Sequence, residues 1–201
     1  MCGDLSELKC YVELSHKRRG PFDLNGLWRE HTALTGAAQT NMPQTPLIVA
    51  HLLQIGCKPD VPNKSQITAL MFAAQNNCET ASLQALLNRG ARLDAGDKDG
   101  WTALHWAAAA GNCAGIELLL RAGAGIDARA NWDETALHLA AGAGATQAAM
   151  LLLDLGANAG LLDDQGRAAL DNAEPLSRAE LMAYVLRDTP EAKHTEAHGR
   201  L

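Results

Sequence analysis

In the stretch Trp101–Asn112, WTALHWAAAAGN, a histidine stands between two indoles and close to a threonine hydroxyl. Such a set could act as a general base beside a nucleophile. A second histidine in the same setting, in TALH at Thr135–His138, could complete a metal pair. The spacing argues against both. His105 and His138 lie 33 residues apart in identical slots, which sets them on neighbouring parallel helices about 10 Å apart. Two zinc–nitrogen bonds would require the rings to converge to about 3–4 Å. The expectation is that each histidine caps its own helix, reaching back to the threonine three residues earlier as a capping-box glutamate does. His51, in an aliphatic segment, is expected to be partly buried, and His31, just before a threonine, to be exposed.

No other catalytic set is present. Cys2, Cys10, Cys57, Cys78 and Cys113 are scattered, with no paired spacing for zinc or redox work, and are read as reduced thiols. The chain has no nucleophile elbow, phosphate loop or HExxH segment. The acidic residues Asp94, Asp97, Asp99, Asp127, Asp133, Asp163 and Asp164 fall in turns, where they hydrogen-bond their own backbone. The chain is expected to be non-catalytic, without cofactor or metal.

The elements that carry these residues recur. TALH at 102 and 135 is preceded by TALM at Thr68–Met71 and TALT at Thr32–Thr35, and followed by AALD at Ala168–Asp171. Gly56, Gly90, Gly123 and Gly156 each end a leucine-rich run, and each lies 12 residues before the next cap position. Two landmarks on one period define a repeat. In each unit a threonine N-cap starts a slim first helix with an alanine pair, such as Ala107-Ala108. A small turn leads to a second helix with an aliphatic stripe, which ends at a C′ glycine.

This pattern resembles the ankyrin repeat, whose fingerprint is visible in DKDGWTALHWAAAAGN, with Ala103 where the family carries proline. The resemblance implies an all-α solenoid of stacked helix-turn-helix units with short β-turn fingers. The units are 27–62, 63–96, 97–129 and 130–162, with 163–188 as a C-terminal cap. Residues 1–26 form a half-repeat whose helix at 5–15 either caps the stack or continues an array that begins upstream. Residues 189–201 are expected to be a disordered tail. In 27–62 the insertion TNMPQTPL (Thr40–Leu47) puts three extra residues and two prolines between the helices, predicting a protruding loop. Unit 63–96 carries one more residue near Asn76–Thr80. Arg178, Glu180 and Arg187 suggest a polar outer face on the last helix.

The resemblance also implies a concave surface, lined by turn tips and first helices, that binds another protein. Candidate contacts are Trp28, His31, Lys64, Gln66, Ile67, Lys98, Asp99, Trp101, Asn131, Trp132, Glu134 and Arg167 at the tips, with Arg29 and Gln165 beside them. Gln75 and Asn76 would extend the face along a first helix. At the equivalent places Ala109-Ala110 and Gly142-Ala143 predict a shallow depression beside Trp101 and Trp132. Trp101 is expected as an exposed indole and Trp106 as packing between repeats.

A net charge of −6 disfavours nucleic acid and anionic membrane as partners, and the basic run His16–Arg19 is read as a solvated loop. No signal peptide or spanning segment is visible. The sequence therefore points to a cytoplasmic or nuclear monomer acting as adaptor, scaffold or inhibitor. The other readings are a targeting or regulatory array within a larger enzyme or membrane protein, and a bacterial effector.

Overall fold

The computed structural model describes residues 25–27, 30–76 and 80–187. The expected helix at 5–15, Trp28, Arg29 and the tail 189–201 lie outside the described residues. Nine α-helices follow in order among those described: α1 (Ala33–Gln39), α2 (Thr45–Gln54), α3 (Ala69–Gln75), α4 (Ala81–Asn88), α5 (Ala103–Ala109), α6 (Cys113–Arg121), α7 (Ala136–Gly142), α8 (Thr146–Asp154) and α9 (Pro175–Arg187). A 3-10 turn, Ala169–Asp171, stands between α8 and α9.

The first helices α1, α3, α5 and α7 are seven residues each, too short to persist alone, so caps and neighbours must hold them. The Thr32 hydroxyl accepts the Thr35 N–H at 3.1 Å, and Thr68 does the same for Met71 at 3.4 Å. The second helices α2, α4, α6 and α8 each run into a left-handed glycine: Gly56, Gly90, Gly123 or Gly156. Past it the chain folds back, and Cys57, Ala91, Ala124 and Ala157 donate to the carbonyls of Leu52, Leu86, Leu119 and Leu152 at 2.9–3.1 Å.

Packing runs along the stack. The first helices form one row, α1 on α3 on α5 on α7 on the 3-10 turn. The alanine pairs Ala73-Ala74, Ala107-Ala108 and Ala140-Ala141 are fully buried and let the row close up. Leu34, Leu70, Leu104 and Leu137, one per unit, are buried with them, each contributing about 2 kcal/mol. Polar bridges also cross the repeats. The buried Asn112 amide donates to the Ala74 and Asn76 carbonyls at 2.8 and 3.1 Å, while its Oδ1 accepts the Gly115 N–H and caps α6. The carboxylates of Asp60 and Asp127 accept the Arg92 and Asn158 N–H groups of the following unit, so these acids brace a neighbour rather than their own turn.

Four expectations need correction. The insertion in the first unit leaves only Pro43 between helices, because Pro46 sits in the first turn of α2, where its missing N–H costs nothing. The loop, residues 40–44, is still longer than the turns at 110–112 and 143–145, as expected, and is closed by hydroxyls, with Thr40 and Thr45 Oγ1 2.9 Å apart and Thr45 Oγ1 accepting the Met42 N–H. The last unit has a 3-10 turn in place of a first helix, since Pro175 disfavours α-conformation at Glu174. The outer side of α9 is not simply polar. Arg178 folds back onto the Leu170 carbonyl and Asp171, while Leu176 and Leu186 are 79% and 60% exposed. His51 is exposed, because it lies on the side of α2 away from the neighbouring helices. Among the described residues no helix is long and apolar enough to cross a membrane.

Candidate functional site

Each finger is a five-residue turn ahead of a first helix. Its first N–H donates to the carbonyl four residues on, as Asn63 to Ile67, Asp97 to Trp101, Ala130 to Glu134 and Asp163 to Arg167, at 2.9–3.1 Å. Its fourth residue is left-handed: Gln66, Gly100, Asp133 and Gly166. Three fingers open with a side chain that gathers two N–H groups: Asn63 Oδ1 from Ser65 and Ile67, Asp97 Oδ1 from Asp99 and Trp101, and Asp163 Oδ1 from Gln165 and Arg167. Ala130 has no such group, and Asn131 ties that finger to the preceding one instead. Its backbone N–H donates to the Asp99 carbonyl and its amide to the Lys98 carbonyl at 2.9–3.0 Å.

The two histidines do structural work in both directions. The Thr102 N–H donates to His105 Nδ1 at 3.1 Å, so that nitrogen is an acceptor, with the Thr102 hydroxyl 2.9 Å away. His105 Nε2 lies 3.2 Å from the Glu134 carbonyl, which can only accept, so the proton is on Nε2. His138 repeats the pattern with Thr135 on one side and the Arg167 carbonyl on the other. Each ring therefore closes its own cap and pins the finger of the next unit. Burial pushes the His105 ring below its ordinary value, against the opposing effects of the Glu134 and Ala128 carbonyls and the Asp97 charge.

An aromatic row crosses the earlier units. His31, Phe72, Trp106 and Trp101 follow one another with centroids 5.9, 6.1 and 6.2 Å apart, the two tryptophans edge to face. Trp106 Nε1 donates to Asp97 Oδ2 at 2.9 Å, fastening the finger to its helix. Trp106 packs against Phe72 of the unit before it. Trp101 is half-buried, not an exposed tip, because its ring lies on Trp106 and its Nε1 is enclosed without a partner. His31, expected to be exposed, is half-buried against Phe72.

Where the bulky row stops, a depression of about 440 Å³ opens between the fingers and first helices of the last three units. Its floor is Ala109, Leu139, Gly142 and Ala143, and its walls include Trp101, Glu134 and Arg167. Small residues on α5 and α7 make the space, and the histidine bonds place the backbone of Glu134 and Arg167 at its edge. The Arg167 guanidinium lies 2.8–2.9 Å from Asp163 Oδ2. Burial raises the Asp163 carboxyl, but the Arg167 and Gln165 N–H groups and the Arg167 charge outweigh it and hold it at about 2. The Glu134 carboxyl is raised, first by its own burial.

Of the residues proposed from sequence, three meet at this depression: Trp101, Glu134 and Arg167. Trp132 stands outside it, 47% exposed on the finger surface. Lys64, Gln66, Lys98, Asp99 and Asn131 are exposed along the finger row, and Ile67 is half-buried against the core. Gln75 is exposed, but Asn76 is committed, its amide donating to the Ala38 and Thr40 carbonyls of the preceding unit. Asp171 and Asn172 also line the depression and were missed, because the last unit lacks the TALH signal that marks the groove positions.

Comparison with protein families matches ankyrin repeats in three copies over residues 34–131 and a further ankyrin repeat over 132–164. A search of curated proteins found no match. Ankyrin repeats are in general non-catalytic modules of protein–protein interaction. A landmark grid of threonine caps, alanine pairs and C′ glycines, carried by stacked helix pairs and matched over residues 34–164, makes this chain a member of the ankyrin repeat family.

Proposed function

We propose that this chain is a non-catalytic adaptor, scaffold or inhibitor that binds a partner protein on the face formed by its fingers and first helices. The observation that carries this reading is the depression between α5, α7 and the 3-10 turn. Small residues there leave backbone-lined space, and an indole and three charged residues, Glu134, Arg167 and Asp171, surround it. Aromatic and arginine side chains around a recess are the composition of interface hot spots. Trp132 and the exposed finger residues Lys98, Asp99 and Asn131 would form the surrounding contact area.

The depression can be filled without disturbing the fold. A Cβ at Gly142 would meet Asn172 at 3.9 Å, an ordinary contact, and Ala143 is exposed. Affinity capture from native lysate, quantified by mass spectrometry, should enrich proteins on the wild-type chain that are lost on Gly142→Gln/Ala143→Arg. They should remain on Gln147→Arg, a control on exposed α8 surface. If the filled, folded variant retains every partner, the proposed face is wrong.

A further inference from the structure

The depression has an unmet chemical preference. Arg167 is matched by Asp163, and Asp171 is shared by Arg178 and the Ala168 N–H. Both nitrogens of His138 are used, by Thr135 and the Arg167 carbonyl. The half-buried Glu134 carboxylate has no hydrogen-bond or ion-pair partner among the described residues, although it lines the recess. Asn172 Oδ1, on a residue of the same lining, is a second acceptor without a partner. Next to them lie the Trp101 indole and Leu139, apolar surface that suits a chain of methylenes. The wall cation is already neutralised, the free acceptors are not, and the chain carries a net charge of −6.

Resting on the reading of this face as the partner-binding surface, we propose that the depression receives a lysine or arginine side chain from the partner protein. Its cationic head bonds the Glu134 carboxylate, and its methylenes lie against Trp101 and Leu139. An ammonium or guanidinium on that carboxylate gains a charge-assisted hydrogen bond. An acidic side chain is disfavoured by Glu134, and a purely apolar one would bury that carboxylate without a partner. Burial already raises the Glu134 carboxyl, the state in which a nearby cation gains most from pairing with it.

The test uses the full chain and five capped peptides, Gly-Ser-X-Ser-Gly, with X as arginine, lysine, citrulline, leucine or glutamate. Binding is read from the Trp101 indole N–H signal in two-dimensional NMR, assigned with Trp101→Phe. The arginine and lysine peptides should shift it saturably, at least about tenfold more tightly than citrulline, the loss expected when a charged hydrogen bond becomes neutral. Glu134→Gln should abolish the advantage, and Glu134→Lys should transfer it to the glutamate peptide while the other indole signals stay in place. Equal shifts with citrulline or leucine, or an arginine advantage that survives Glu134→Gln, would overturn the assignment of a basic guest. The face would then still bind, so the broader function would stand. Absence of a shift with all five peptides would also overturn it, whereas the broader reading fails only if partner capture survives filling of the recess.

Discussion

His105 links the repeat to the recess, and replacing it with glutamine separates its two tasks. Glutamine at this position of a capping box can still accept the Thr102 N–H, so the cap of α5 survives. It does not reproduce the rigid ring that carries Nε2 to 3.2 Å from the Glu134 carbonyl. Losing that bond leaves a partly buried acceptor unmet and costs about 1–2 kcal/mol. With a urea dependence of about 2 kcal/mol/M, the unfolding midpoint should fall by about 0.5–1 M. The pH dependence supplies a second reading. The folded ring is held below its ordinary 6.5, mainly by burial, so the unfolded chain binds more protons below that pH. Stability from His105 is therefore complete above about pH 6.5 and is lost as pH falls from there through the folded-state value. The gap between wild type and His105→Gln should be widest near pH 7.5 and shrink by pH 5. Equal midpoints at pH 7.5, or a gap that widens in acid, would refute the two-sided role.

Three other substitutions test neighbouring steps. Asn112→Ala removes three hydrogen bonds, two of them buried, and at about 1 kcal/mol each the urea-derived loss should be about 3 kcal/mol; less than 1 would contradict the bridge. Gln66→Gly relieves a left-handed non-glycine residue at φ 64° and should raise stability by roughly 0.5–1 kcal/mol in the same assay, whereas a loss would mean that its side chain matters. Asp163→Asn should keep the finger turn, as Asn63 does in the earlier finger, and be milder than Asp163→Ala in thermal melts. With the carboxyl held at about 2, the stability it provides is present above about pH 3.8 and lost as pH falls toward 2. That acid-limb loss should be missing from Asp163→Asn.

What was legible in the sequence is what backbone and volume dictate locally. The Thr–x–x–His caps, the alanine pairs and Gly90, Gly123 and Gly156 each answer a need within a few residues of themselves, so their types and spacing suffice to find them. Side chains whose partners lie a whole repeat away were harder to place. Asn76 looked like free polar surface, but its amide spans 36 to 38 residues to carbonyls of the preceding unit. Trp101 looked like an exposed tip because the turn is at the surface. Its ring instead folds onto Trp106, five residues on in the same unit, a contact that the spacing alone does not reveal. Small residues on α5 and α7 did predict a recess. That Glu134 shares its lining with Asp171 and Asn172 depends on the irregular last unit, where Pro175 interrupts the pattern.

On the proposed function, a partner lies on the finger and first-helix face, over the recess. A photo-crosslinking amino acid at Ala143, at the floor of that recess, tests it directly against the same probe at Gln147 on α8. A covalent adduct to the partner protein is expected from position 143 and none from 147. An adduct from 147 alone, or equal yields from both, would contradict it.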